Sequence, residues 1–158
     1  MKNQGTPFHG NFLPLNLLPP STNATGSSNL ASDVFSLKKY TSADIFISFS
    51  THAGGGIFTL YKSSDLTTNS TQPIAFNYYY TTQLSDQFST AYTATSTGVS
   101  LGTADNAIYH VPVNQEDFSS QLPNCYFTLT GSTGQSVAAL GFLSGARYFR
   151  EPMPTAIS

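Results

Sequence analysis

Charge is what this sequence has least of. Lys and Arg number 6 and Asp and Glu 8 among 158 residues, a charged fraction of 9 % with a net charge of −2. An ordinary soluble domain carries roughly a quarter charged residues. Phosphate recognition needs clustered cations, and the only groupings here are Lys38–Lys39 and Arg147 with Arg150, so direct nucleic-acid binding is not expected. Long apolar runs are also missing: none approaches the roughly 18 to 20 residues that span a bilayer. The apolar stretch near the N-terminus is cut by Pro14, Pro19 and Pro20, which makes it a poor signal peptide. No membrane association is expected. Cysteine occurs once, which rules out an internal disulfide. Cys125 lies in the apolar run Cys125-Tyr126-Phe127-Thr128-Leu129, where a buried, inert thiol is expected, in a product of a reducing cytoplasm.

Catalytic groups are few. His9, His52 and His110 are the histidines, and no pair has the His-x-His or His-x-x-x-His spacing of a local metal site. The nearest approach to a nucleophile elbow, Leu143-Ser144-Gly145, has Gly141 one position too early for Gly-x-Ser-x-Gly. The acids Asp33, Asp44, Asp65, Asp86, Asp105, Glu116, Asp117 and Glu151 mostly fall at predicted turns or strand edges, where capping and turn hydrogen bonds explain them. Ala53-Gly54-Gly55-Gly56 lacks the Gly-Lys-Ser/Thr and helix of a phosphate loop. The expectation is a protein with no catalytic site, no cofactor and no metal.

What is present is β-forming. Hydrophobic residues make 39 % and aromatics 13 %, which argues against disorder, and the length fits one domain with a real core. Ile45, Ile47 and Phe49 alternate with Asp44, Phe46, Ser48 and Ser50, a period of two. Ile57–Tyr61 follows the triple glycine, and the two segments read as an antiparallel hairpin. Further strands are predicted at Val34–Tyr40, Ile74–Tyr80, Gln87–Thr93, Ala107–Val113, Cys125–Thr130 and Val137–Phe149, with one helical turn within Gln115–Leu122. No amphipathic helix of useful length appears. About eight strands with regular turns predict an all-β, antiparallel two-sheet sandwich of jelly-roll type.

Three regions are expected: an extended N-terminal arm over 1–31, the sandwich over 32–149, and an extended tail over 150–158. The arm carries Phe8, Phe12, Leu13, Leu15, Leu17 and Leu18 between Pro7, Pro14, Pro19 and Pro20. Proline fixes φ and favours extended geometry before it. Six large apolar side chains on such an arm must lie either on its own body or on a neighbour, and the sequence leaves both open. Tyr78, Tyr79 and Tyr80 are consecutive. In a strand, Tyr78 and Tyr80 share one side and Tyr79 takes the other. Tyrosine in such rows serves core edges and subunit interfaces, or a platform for sugar rings. The arm's apolar residues and these tyrosines are therefore the candidate protein-interface residues.

The leader Leu15-Asn16-Leu17-Leu18-Pro19-Pro20, the strand Val34-Phe35-Ser36-Leu37…Tyr40 and the ending Gly141-Phe142-Leu143-Ser144-Gly145-Ala146-Arg147-Tyr148 together resemble the small β-rich virion proteins of tailed bacteriophages, most of all the cement or decoration proteins of the head. The resemblance implies a β-sandwich or barrel on the outer capsid surface, made in the host cytoplasm. It also implies a homo-oligomer, with a trimer favoured, that binds across seams of the major capsid protein and stabilises the mature head. The alternative is a head-fibre or tail-appendage module that uses the tyrosine row to bind a host glycan or receptor.

Overall fold

A computed structural model describes residues 12–24, 30–51, 56–66, 71–82, 87–100, 107–130 and 135–145. The strands are β1 (Phe12–Ala24), β2 (Leu30–Ala31), β3 (Phe35–Ser36), β4 (Ser42–Thr51), β5 (Ile57–Ser63), β6 (Thr71–Ile74), β7 (Phe76–Thr81), β8 (Tyr92–Ala94), β9 (Val99–Ser100), β10 (Ile108–Asn114), β11 (Asn124–Thr130) and β12 (Gln135–Ser144). One 3-10 turn, Gln115–Asp117, falls where a helical turn was expected.

Two antiparallel sheets form the body. The first runs β1-β12-β4-β10-β7-β8. The second runs β2-β11-β5-β6, with β3 also on β11 and β9 on β5. The pairings nest: β2 and β3 with β11, β4 with β10, β5 with β9, β7 with β8. Folding such a nested hairpin into two sheets gives a jelly roll, and β12 and β1 then extend the first sheet beyond β4. The core follows the period-two pattern. Ala43, Ile45, Ile47 and Phe49 of β4, with Tyr109, Val111 and Val113 of β10, face Phe58 and Leu60 of β5 and Phe127 and Leu129 of β11.

Several expectations change. β4 and β5 are not a hairpin, since β4 pairs with β10 and β12 whereas β5 pairs with β11, β6 and β9. Each strand has one apolar face, and opposing those faces across the core buries both. Gly54 and Gly55 lie outside the described residues. The predicted Val34–Tyr40 strand shrinks to Phe35–Ser36, because Pro123, next in register opposite Leu37, accepts the Leu37 N–H but has no N–H to return, and the chain turns at Lys38-Lys39. Ile74–Tyr80 divides at Ala75 into β6 on one sheet and β7 on the other. Gln87–Thr93 is mostly irregular, held by Ser89 N–H to the Tyr80 carbonyl at 2.9 Å.

The largest correction concerns the arm. Residues Phe12–Ala24 are a full strand of the first sheet, paired with β12 from Phe12↔Ser144 to Ala24↔Gln135. Leu15, Leu17 and Leu18 are 2 %, 1 % and 8 % exposed within the chain's own core, and Leu13 packs against it. Leu15, Leu17 and Leu18 are therefore core residues, not a surface for a neighbour, and Leu13 is a partly buried residue at the core's margin. Register shifts after Asn16 and Leu18 let the successive Leu17 and Leu18 both turn inward, as a bulge does. The prolines fit because β1 pairs on one side only, and edge strands tolerate the missing donor. Gly141, opposite Leu15, leaves the space: a Cβ there would lie 2.9 Å from Leu17 Cδ1. Phe8 and the 150–158 tail lie outside the described residues.

Candidate functional site: an aromatic sheet face

The alternation that buries one side of the first sheet presents the other. Register places one transverse row across five of its strands: Asn16 opposite Leu140, Leu140 opposite Phe46, Phe46 opposite His110, and His110 opposite Tyr79. The adjacent row is Pro14, Phe142, Asp44 and Pro112. Outward positions of a solvated antiparallel sheet are normally polar, yet these are mostly apolar.

His110 is the centre of the face. Phe46 stacks on its ring at 4.6 Å and 9°, and Tyr79 stacks on it at 5.6 Å and 24°. Phe88 leans on His110 and Phe46 at 5.9 and 6.5 Å, and Phe142 meets Phe46 edge-on at 5.9 Å. Asp44, diagonal to His110 in the ladder, lies with Oδ1 2.7 Å from its Nε2. Both remain partly open, at 22 % for His110 and 37 % for Asp44. Around them Leu140, Phe88 and Ile108 are exposed by 51 %, 43 % and 37 %.

The three consecutive tyrosines are split as strand geometry requires. Tyr79 belongs to the outer face. Tyr78 and Tyr80 turn inward with Phe76 and pack against the core. There Tyr78 and Tyr80 flank Tyr109 at 6.2 and 5.8 Å, and both lie 5.6 Å from Tyr92 at the sheet edge. Burial raises the Tyr78 hydroxyl above its ordinary value, and a hydrogen bond with Tyr92 does the same for Tyr80. The row is thus a seam between core and edge, not one exposed platform.

Other chemistry is sparse among the described residues. No group of three or more His, Cys, Asp or Glu could hold a metal ion. Cys125 is fully buried, and burial pushes its thiol far up. Ser144 Oγ is 2.6 Å from Ser42 Oγ across β12 and β4. No described hydroxyl or thiol is hydrogen-bonded to His110. A cleft of about 250 Å³ opens where β7 parts from β10, with Leu60, Phe76 and Val113 among its apolar walls and Asn77, Thr93, Asn114 and Asp117 at its rim. Thr93 Oγ1 donates to Asn77 Oδ1, and the Asn114 N–H to Asp117 Oδ2. It is smaller than the usual ligand pocket of about 300 Å³ upward. No described helix is long and apolar enough to cross a membrane.

Sequence reasoning missed Phe46, Phe88, Ile108, Leu140 and Phe142. The available signal was Phe46, an aromatic among the polar positions of an alternating strand. The second was β12, apolar in both of its registers.

No family model matches this chain, and no curated protein does. Among solved structures, the crystal structure of the SPBc2 prophage-derived protein YomS is similar in chain course, at 12 % identity and a TM-score of 0.48. The match covers 85 % of this chain and 94 % of that one.

Proposed function

We propose that this chain is a structural protein of a virus particle that docks on protein neighbours through the outer face of its first sheet. The observation that carries the reading is the row Leu140–Phe46–His110–Tyr79, an aromatic surface on the side of the sheet away from the core. Contiguous exposed apolar surface on a soluble domain marks an interaction site, and interface cores are rich in aromatics and poor in charge. The sequence resemblance to head cement proteins supplies the finer reading. In it, a homotrimer, attached to the capsid exterior, bridges seams of the major capsid protein. Binding only the mature lattice would stabilise that lattice by mass action, and many copies would let each contact be modest. The docking surface in this mechanism is the β12–β4–β10–β7 face, since the leucines of β1 are inside the fold.

The test is binding of the purified chain to heads of its own virus prepared without it. Leu140→Glu with Ile108→Glu places two charges on exposed positions, so the melting temperature should hold while sedimentation with heads is lost. Undiminished binding by this variant would overturn the docking face. A glycan array probed with wild type and with Tyr79→Ala covers the receptor reading, for which signal lost in the variant is the supporting result.

A further inference from the structure

Resting on that docking reading, we propose that the Asp44 carboxylate is the seat for an arginine side chain of the protein partner. Among the described residues of this face Asp44 is the one acid, and no Lys or Arg occupies an outward position on it. The described cations Lys38, Lys39 and Lys62 lie elsewhere in the chain, and none pairs with Asp44. Its one described hydrogen-bond partner is His110 Nε2, through Oδ1. Oδ2 has no described partner, and the group is 37 % exposed.

The frame around the carboxylate suits a guanidinium. Phe142 and Pro112 flank it in its transverse row. Phe46 stands two residues along the strand, stacked on His110 at 4.6 Å. A planar guanidinium can lie against ring faces while its N–H fork donates to a carboxylate, which an ammonium does less well. Docking this mostly apolar surface would leave an incompletely paired anion at the interface, which is costly unless the partner supplies the cation. Charge complementarity therefore selects a basic residue, and the flat aromatic frame selects arginine over lysine.

The experiment is a backbone-amide NMR titration of the full chain with N-acetyl-arginine methylamide. The matching lysine compound and the neutral citrulline compound are run beside it, each up to about 50 mM to reach weak single-residue affinities. Saturable shifts at Asp44, Phe46, His110 and Phe142 are expected with arginine. They should be weaker with lysine and at least about fivefold weaker with citrulline or in Asp44→Asn, since the charge-assisted bond is lost. Equal responses to arginine and citrulline, an unchanged Asp44→Asn, or no saturable response to arginine would each overturn the seat. Asn keeps an oxygen for His110, so the variant should fold, and an unchanged melting temperature verifies it. Head binding separates this proposal from the reading beneath it. If wild type binds heads and Asp44→Asn binds equally well, the seat is wrong while docking stands. If wild type fails to bind heads, docking falls and the titration alone judges the seat.

Discussion

The two sheets treat their outer faces differently. On the second sheet most outward residues are hydroxyls and amides, several of them bonded within the chain, with Ile57 and Pro73 as the apolar exceptions. Tyr126 stacks on Tyr61 at 5.0 Å and hydrogen-bonds the Thr71 side chain. Asn124 Nδ2 donates to the Ser63 carbonyl, and Ser63 Oγ to the Asp65 carbonyl. Thr59, Ser63, Asn124 and Tyr126 are all buried although they point away from the core, and the turn at Gly98 sits directly on Thr59 and Ile57. On the first sheet rings and aliphatic carbons dominate the outward positions, with one carboxylate and a few polar side chains such as Asn16 and Ser48 among them. The second face is largely covered by its own chain, with Ile57 as its exposed apolar residue, and the first keeps a cluster of apolar side chains in solvent, where a protein partner would bury it.

Experiments can break this contrast, and the largest effect should come from the inner side of the first sheet. Leu17→Ala should lower unfolding stability by about 2–5 kcal/mol in a denaturant titration, whereas Leu140→Ala, outward on neighbouring β12, should stay within about 0.5 kcal/mol. An unchanged Leu17→Ala would mean that β1 is not part of the folded body, and the arm would return as a docking element. Gly98→Ala comes next, at about 1–3 kcal/mol. Its φ is +89°, and a Cβ would run into the Phe58 carbonyl and Thr59 Oγ1. A neutral result there would show that the turn does not close the second face.

Smaller effects sharpen the comparison. Tyr126→Phe removes the bond to Thr71 and should cost about 1 kcal/mol with head binding unchanged. Phe46→Leu should do the reverse, losing about 0.5–1.5 kcal/mol of ring stacking at most but weakening head binding. Alkaline pH gives the last measurement. Burial raises the Tyr40, Tyr78 and Tyr126 hydroxyls above 10.0. The unfolded chain then loses these protons first, so their contribution is fully present below about pH 10 and is lost as pH rises through the folded values. Denaturation midpoints should be level up to about pH 10 and fall beyond it. A midpoint that rises there would contradict the burial of these rings.

Much of the fold was legible in residue order. The alternation in β4, the strands β10 and β11, the turn at Gln115–Asp117 and the buried Cys125 all follow from local pattern. Pairing was not legible. Ile45–Phe49 and Ile57–Tyr61 look like hairpin partners because they are neighbours with glycines between, and nothing local says that they belong to opposite sheets. The described parts of the three motifs that carry the family resemblance fall on β1, at and around β3, and on β12, where Leu15 sits opposite Gly141 and Leu17 accepts a bond from Asp33 N–H, while Ala146, Arg147 and Tyr148 lie outside the described residues. They are core-building pieces, so the likeness they carry concerns how the chain folds. The candidate site was legible only in part: Tyr79 was named, while Phe46, His110 and Phe142 gain meaning from registry across strands far apart in sequence.

The sequence by itself determined an all-β chain with little charge and an apolar, proline-spaced leader, because composition and a period of two are local properties. Tertiary structure decided what that scarcity of charge means. Pairing β1 with β12 turned the leader's leucines inward, since an edge strand can accept prolines and still bury alternate side chains. The register of β12, β4, β10 and β7 then gathered Leu140, Phe46, His110 and Tyr79 into one outer row, because a face exists only once strands are laid side by side.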